Sequence, residues 1–138
     1  MNELQISVEK LKEKIVPEYQ KSIDVDEGWY QIIVDCDKEL TAIDPHYQIF
    51  QIKEKFGGLR YYFHPSQSDT SKAMNEVVKK YETIAAVTCE STGKTGVLMR
   101  SKSGRYRTLN TEYASNTAHL VVYSVVPKTQ PSASSQPL

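Results

Sequence analysis

The chain has 138 residues, 39% hydrophobic and 25% charged, a size and composition that fit one compact domain with a single substantial core. Seventeen basic side chains balance seventeen acidic ones, which removes any argument for a polyanion binder from overall charge. The distribution is uneven: residues 1–46 hold five basic and eleven acidic side chains (net −6) and residues 47–138 hold twelve and six (net +6). That dipole either steers a charged partner or draws the two halves of the chain together.

In chain order, Leu4, Val8, Leu11 and Ile15 recur at three and four residues between Glu and Lys, which predicts an amphipathic helix over 2–16 that Pro17 ends or kinks. Beyond the acidic stretch Asp24 to Gly28, the residues Trp29, Ile32, Ile33, Cys36 and Leu40 share one helical face, and Asp44-Pro45 supplies a stop. A second helix over 29–42 follows, with its tryptophan expected on a sheet. From Tyr47 the period changes to two. Phe50 and Ile52, and with them Phe56, fall on one face, and Leu59, Tyr61 and Phe63 alternate with Arg60, Tyr62 and His64, which predicts a β-hairpin turning at Gly57-Gly58.

Met74, Val77, Val78, Tyr81, Ile84 and Ala85 trace a third helix over 70–87, with Ser68 or Asp69 as its N-cap and Lys72, Lys79 and Lys80 outward. Short strands are expected at Val97 to Arg100, Arg105 to Leu109 and His119 to Val126. The expected fold class is α+β: three helices on an antiparallel sheet built from the hairpin and the C-terminal strands, one domain over 1–127. Residues 128–138, rich in Ser and Pro, are expected to be a disordered tail because they have almost nothing to bury. The two cysteines, Cys36 and Cys89, and the lack of a signal-peptide core or an apolar run long enough to span a bilayer lead to the expectation of a cytoplasmic protein with free thiols and no membrane contact.

The block Lys53-Glu54-Lys55-Phe56-Gly57-Gly58-Leu59-Arg60-Tyr61 is similar to one found in small uncharacterised proteins of bacteria and their phages, often followed by a cysteine-bearing ribbon. The chain resembles that family from about Trp29 to Tyr113. The resemblance implies a ribbon in which two Cys-x-x-Cys or Cys-x-x-His pairs would hold zinc. Here Cys89 matches the first ligand, while Thr92, Asn110 and Tyr113 take the other three places. A thiol, an amide and a phenol do not hold zinc, so no metal and no cofactor is expected, and packing or hydrogen bonds must hold the ribbon. His46, His64 and His119 are scattered singly, where ordinary hydrogen bonding is the commoner role.

Two groups of cations are candidates for binding a partner or an anion. Lys94, Arg100, Lys102, Arg105 and Arg107 follow one another without an intervening acid, and Arg105 and Arg107 would share one face of a strand. Lys53, Lys55 and Arg60 lie on the hairpin, beside Tyr62 and His64. The alternatives are an edge strand kept soluble by charge and an aromatic sheet face covered by helices. Gly93-Lys94-Thr95 superficially matches the end of a phosphate-binding loop, but Thr88 stands where the earlier glycine belongs, and a helix precedes where a strand is needed.

No pattern places a nucleophile beside a base or pairs two carboxylates, so no catalytic residue and no enzyme is expected. The expected function is that of a small interaction protein of phage or mobile-element type. Its partner would be a host protein or protein–nucleic acid complex, and the effect inhibition of a bacterial defence or nucleic-acid-processing assembly. The alternative is a nucleic-acid or nucleotide-binding module using the basic hairpin 94–107.

Overall fold

The computed structural model describes residues 2–127, and the tail expected at 128–138 lies outside the described residues. The fold is α+β. The first helix, α1 (Glu3–Leu11), starts at a capping box in which Asn2 Oδ1 accepts from the Gln5 amide and Gln5 Oε1 accepts from the Asn2 amide, satisfying two donors that the first turn leaves over. It tightens into a 3₁₀ turn at Lys12–Lys14 and stops before Pro17, short of the expected residue 16. Ile15 and Val16 then run extended, and the Val16 amide donates to the Ile49 carbonyl at 3.0 Å.

The second helix, α2 (Tyr30–Ile43), follows a 3₁₀ turn at Glu27–Trp29 and ends at the extended Asp44 before Pro45. Trp29 is fully buried, and its indole N–H donates to the Thr88 carbonyl at 2.8 Å. The expected contact with a sheet is therefore joined by an anchor to the strap that leaves the third helix. That helix, α3 (Ser71–Ala85), is preceded by a 3₁₀ turn at Ser68–Thr70, and neither Ser68 nor Asp69 caps it. The last, α4 (Thr111–Asn116), was not expected at all. Asn110 caps it by accepting from the Tyr113 amide at 3.0 Å.

The strands form two three-stranded sheets, so the hairpin and the C-terminal strands are not continuous with each other. In the first, β1 (Ile23–Asp24) runs parallel to β2 (Gln48–Lys55), which pairs antiparallel with β3 (Gly58–His64). In the second, β4 (Val97–Ser101) is central between β5 (Tyr106–Leu109) and β6 (Tyr123–Val125), all antiparallel. The last strand is shorter than the expected 119–126, because residues 117–120 form a turn closed by hydrogen bonds from the Thr117 and Leu120 amides.

The main core lies between the first sheet and the helices, with Ile33, Leu40, Ile49, Ile52, Leu59 and Met74 all within 2% of complete burial; each such side chain contributes about 1.5–3 kcal/mol. A smaller cluster of Cys89, Met99, Leu109 and Ala114 holds the second sheet to α4. Inside the main core, Tyr47 Oη lies 2.5 Å from Asp37 Oδ1 and 2.7 Å from Tyr61 Oη, and Lys14 Nζ donates to the same carboxylate at 2.6 Å. Burial in the first place, and after it the Tyr61 and Asp37 oxygens for Tyr47 and the Cys36 sulfur for Tyr61, push both phenols well up from their ordinary value, so both remain neutral hydrogen-bonding groups at physiological pH.

Asp44 closes the loop that carries the chain from β3 toward α3. Its carboxylate accepts from the Ser66 hydroxyl and amide, both at 2.6 Å, and from the His46 amide at 3.1 Å. The Ser66 hydroxyl in the first place, and the amides after it, hold this buried carboxyl below its usual range. A depressed folded-state pKa adds stability that is present above about pH 4 and is lost as pH falls through the folded value. We expect Asp44→Ala to cost about 2 kcal/mol at pH 7 and the gap from wild type to shrink toward pH 3, both read from urea unfolding midpoints. A gap that is constant with pH would show that the charge of Asp44 has no part in it.

Candidate functional site

The hairpin turn is displaced by one residue from the expected Gly57-Gly58. Lys55 pairs with Gly58, which leaves Phe56 and Gly57 as the two central residues, at φ 54° and 83°. Two positive-φ residues between directly paired strands form the type I′ pattern, whose twist matches that of the strands. Glycine is suited to the second position twice over: besides its φ, a Cβ on Gly57 would lie 2.6 Å from Leu98 Cδ1. Phe56 is not suited to the first, where Asn, Asp or Gly is the ordinary occupant. It is the one non-glycine residue with positive φ among those described, and it is 69% exposed. Phe56 therefore does not share one face with Ile52, which is fully buried.

The tip is held in place from behind. Thr108 on β5 is buried and donates its hydroxyl to the Gly57 carbonyl at 2.7 Å, and Glu54 accepts from the Gly57 amide at 2.7 Å. Leu98, 37% exposed, lies against Gly57 and carries the apolar surface onto β4. Around the tip stand cations: Lys55 reaches over the Phe56 ring at 5.5 Å, Arg60 folds back to the Leu59 carbonyl at 3.3 Å, and Arg105, 62% exposed, lies 3.9 Å from Glu54. Lys53 is the cross-strand partner of Arg60 on the face away from the helices.

The other expected cations divide. Arg107 is corrected from a binding residue to an internal one: its side chain is 14% exposed, Nη2 donates to Asp26 Oδ2 at 2.6 Å and to Ser91 Oγ at 3.0 Å, and Glu90 Oε1 lies 3.7 Å away. It does not join Arg105 on a common binding face. Arg100 stacks on Tyr106 at 5.6 Å, Lys102 is in the β4–β5 turn, and Lys94 is exposed in the turn whose carbonyl accepts from the Cys89 amide. The charge asymmetry is partly used internally, since Asp26–Arg107 and Glu39–Lys80, at 2.6 and 2.7 Å, both join the acidic first third to the basic remainder.

Arg107 belongs to a junction between the two sheets. Glu90 is 3% exposed, its Oε2 accepts from the Asp26 amide at 3.0 Å, and its carbonyl accepts from the Gly28 amide at 2.7 Å. Burial raises the Glu90 carboxyl above its ordinary value in spite of the Asp26 amide and the Arg107 guanidinium. Among the described residues, Glu90 Oε1 and Arg107 Nε are buried with no hydrogen-bond partner.

The four positions set side by side by the family resemblance are held by hydrogen bonds. Cys89 Sγ accepts from the Thr92 amide at 3.4 Å, while Asn110 caps α4 through Tyr113 and donates to the Thr95 carbonyl at 3.0 Å. The buried Cys89 thiol is raised by desolvation, but the hydrogen bonds from Thr92 and from the backbone at Asn110, Thr92 and Ser91 outweigh it and leave the net shift downward. No group of three or more His, Cys, Asp or Glu side chains gathers as a metal cage among the described residues. None of the described helices is long and apolar enough to cross a membrane. Comparison with protein-family models, with curated proteins and with solved structures finds no match.

Proposed function

We propose that the chain is a non-enzymatic interaction protein, of phage or mobile-element type, that docks through its hairpin tip onto a host protein or protein–nucleic acid complex and inhibits it. The observation that carries this reading is Phe56. A bulky residue in the left-handed region costs about 1–2 kcal/mol, and an exposed phenylalanine leaves its apolar ring in water, while the contact it makes in return is the exposed Lys55 over its ring at 5.5 Å, worth about 0.5 kcal/mol. Such local conflicts are expected where function overrides stability. An aromatic anchor, a neighbouring leucine and a rim of Lys55, Arg60 and Arg105 match a partner pocket that is apolar at its centre and acidic at its edge.

A polyanion gripped by Lys94 to Arg107 draws less support, because Arg107 is turned into the molecule. The test is retention from host lysate on immobilised wild-type chain and on Phe56→Asn. We expect the variant to hold the specific partner about thirty-fold more weakly, the loss of an anchor worth about 2 kcal/mol. Equal retention of the same partner by both chains would remove the tip from the interface.

A further inference from the structure

The face of the first sheet that the helices leave open is not the polar surface that a half-buried antiparallel pair ordinarily shows. Beyond Lys53 and Arg60 it carries Gln51 opposite Tyr62 and Gln48 opposite His64. Phe50 joins them because of a β-bulge: Ile49 pairs with Phe63 and Gln51 with Tyr62, so Phe50 has no partner across the ladder. Without the extra residue, strict alternation from Ile52 would turn Phe50 toward the core and Ile49 out. The bulge keeps Ile49 fully buried and brings Phe50 to the open face, the kind of re-aiming for which bulges are used beside functional sites.

There Phe50 is flanked by His64 at 3.9 Å and by Tyr19 edge-on at 5.5 Å. Tyr19 and Tyr62 remain 53% and 41% exposed, so the cluster does not serve to bury its own rings. Between them lies a cleft of about 460 Å³ lined by Tyr19, Phe50 and Tyr62 together with Ser22, Asp24 and Gln51, within the range of about 300–1,000 Å³ usual for small-ligand sites.

The walls of this cleft offer ring faces for stacking, and its floor and rim offer hydrogen-bonding edges. The Gln51 amide presents both a donor and an acceptor. Ser22 Oγ donates to Asp24 Oδ2 at 3.2 Å, which leaves Asp24 Oδ1 as an acceptor for an amino group. One residue pair further along the same face, about 7 Å away at ~3.4 Å rise per residue, stands Lys53, the neighbour of Asp24 on β1 and of Arg60 on β3; the Arg60 guanidinium is turned away toward Gly58 and the Leu59 carbonyl, which leaves Lys53 as the cation on the side where a phosphate attached to the stacked ring would lie. We propose that this cleft binds a nucleobase carrying an exocyclic amino group, stacked on Tyr19 and Tyr62 beside Phe50, with its phosphate held by Lys53. The base comes either from a free nucleotide or from an unpaired position in a single strand. This site is separate from the Phe56 tip and does not depend on it.

The test is titration of the full chain at low salt, by amide chemical shifts and calorimetry, with AMP, with UMP and with a short single-stranded oligonucleotide. We expect shifts centred on Tyr19, Gln51 and Tyr62, AMP binding more tightly than UMP, and a loss of about ten-fold or more in a Tyr19→Ala, Tyr62→Ala chain that retains its wild-type melt. Binding of AMP as tight per base as that of the oligonucleotide assigns the site to free nucleotides, and response to the oligonucleotide alone assigns it to a strand. No response to any of the three, or affinity unchanged in the double variant, overturns the site, and equal binding of AMP and UMP overturns the role given to Asp24. Phe56→Asn should bind AMP as wild type does, which keeps this outcome distinct from that of the tip.

Discussion

Replacing Arg107 by Gln is expected to destabilise the fold by about 3–5 kcal/mol at pH 7, the usual cost of leaving one partner of a buried ion pair without the other. Glu90 is 3% exposed, and its ion-pairing cation is Arg107. Burial already holds the Glu90 carboxyl above its ordinary value with the guanidinium present. Without it the shift grows, and a raised folded-state pKa means that the folded chain binds a proton the unfolded chain has released. Stability of the variant therefore falls as pH rises above the ordinary carboxylate range, and its deficit against wild type shrinks as pH is lowered toward 4. A second substitution, Glu90→Gln, should recover most of the loss in the Arg107→Gln background, which separates a charge effect from a packing effect. Arg105→Gln serves as the contrast. That side chain is 62% exposed and 3.9 Å from Glu54, and its removal should change stability by less than about 1 kcal/mol.

Gly28→Ala is the second large effect. A Cβ there would lie 2.3 Å from the Glu90 carbonyl oxygen and 2.4 Å from that of Cys89, and both are backbone atoms that cannot rotate away. The substitution also threatens the 2.7 Å hydrogen bond from the Gly28 amide to Glu90. Overpacking and the lost hydrogen bond together should cost about 3 kcal/mol or more. Hydrogen exchange locates the damage: protection should fall first at Cys89, Glu90 and the β4–β5 amides, while the core around Ile33, Leu40 and Ile52 keeps its own. Gly58→Ala is a mild control, since the nearest atom to its Cβ, at 3.0 Å, is the mobile Arg60 Nη1. If Gly28→Ala melted like wild type, the strap at residues 88–90 would not be what joins the two sheets.

Both effects arise at a junction that the sequence hides. Arg107 and Asp26 are 81 positions apart, and a guanidinium in a run of cations reads the same whether it meets solvent or a buried carboxylate. What periodicity carries was legible: the apolar faces of α1, α2 and α3 and the pairing of β2 with β3 follow from repeats of three to four and of two. What depends on one residue was not. The bulge at Phe50 breaks the alternation by a single position, and the turn slips from Gly57-Gly58 to Phe56-Gly57 because the strand pairing, not the number of glycines, decides which residues take positive φ.

Helix α4 is six residues of mostly polar sequence, too short for a periodic signal. Its one readable mark, Asn110 in the N-cap position, coincides with what the family resemblance makes the third place of a metal ribbon. The run from His119 to Val126 looks like a long strand from its β-branched residues. Only Tyr123–Val125 pair, since the turn at residues 117–120 takes up the start of the run. The site at the tip could have been found from the conflict between a phenylalanine and the Asn-Gly or Gly-Gly preference of a two-residue hairpin loop, had the register been known.

That conflict is also where the proposed function is most exposed to test. Phe56 is assigned to a partner because it opposes folding at its position, so the decisive quantity is the thermal midpoint of Phe56→Asn in the absence of any partner. Asparagine tolerates the left-handed region and removes the exposed ring, and a gain of about 1 kcal/mol should raise the midpoint by about 3–5 °C. A midpoint that falls instead would mean that the phenylalanine stabilises the hairpin, and the reason for assigning it to a partner would be gone.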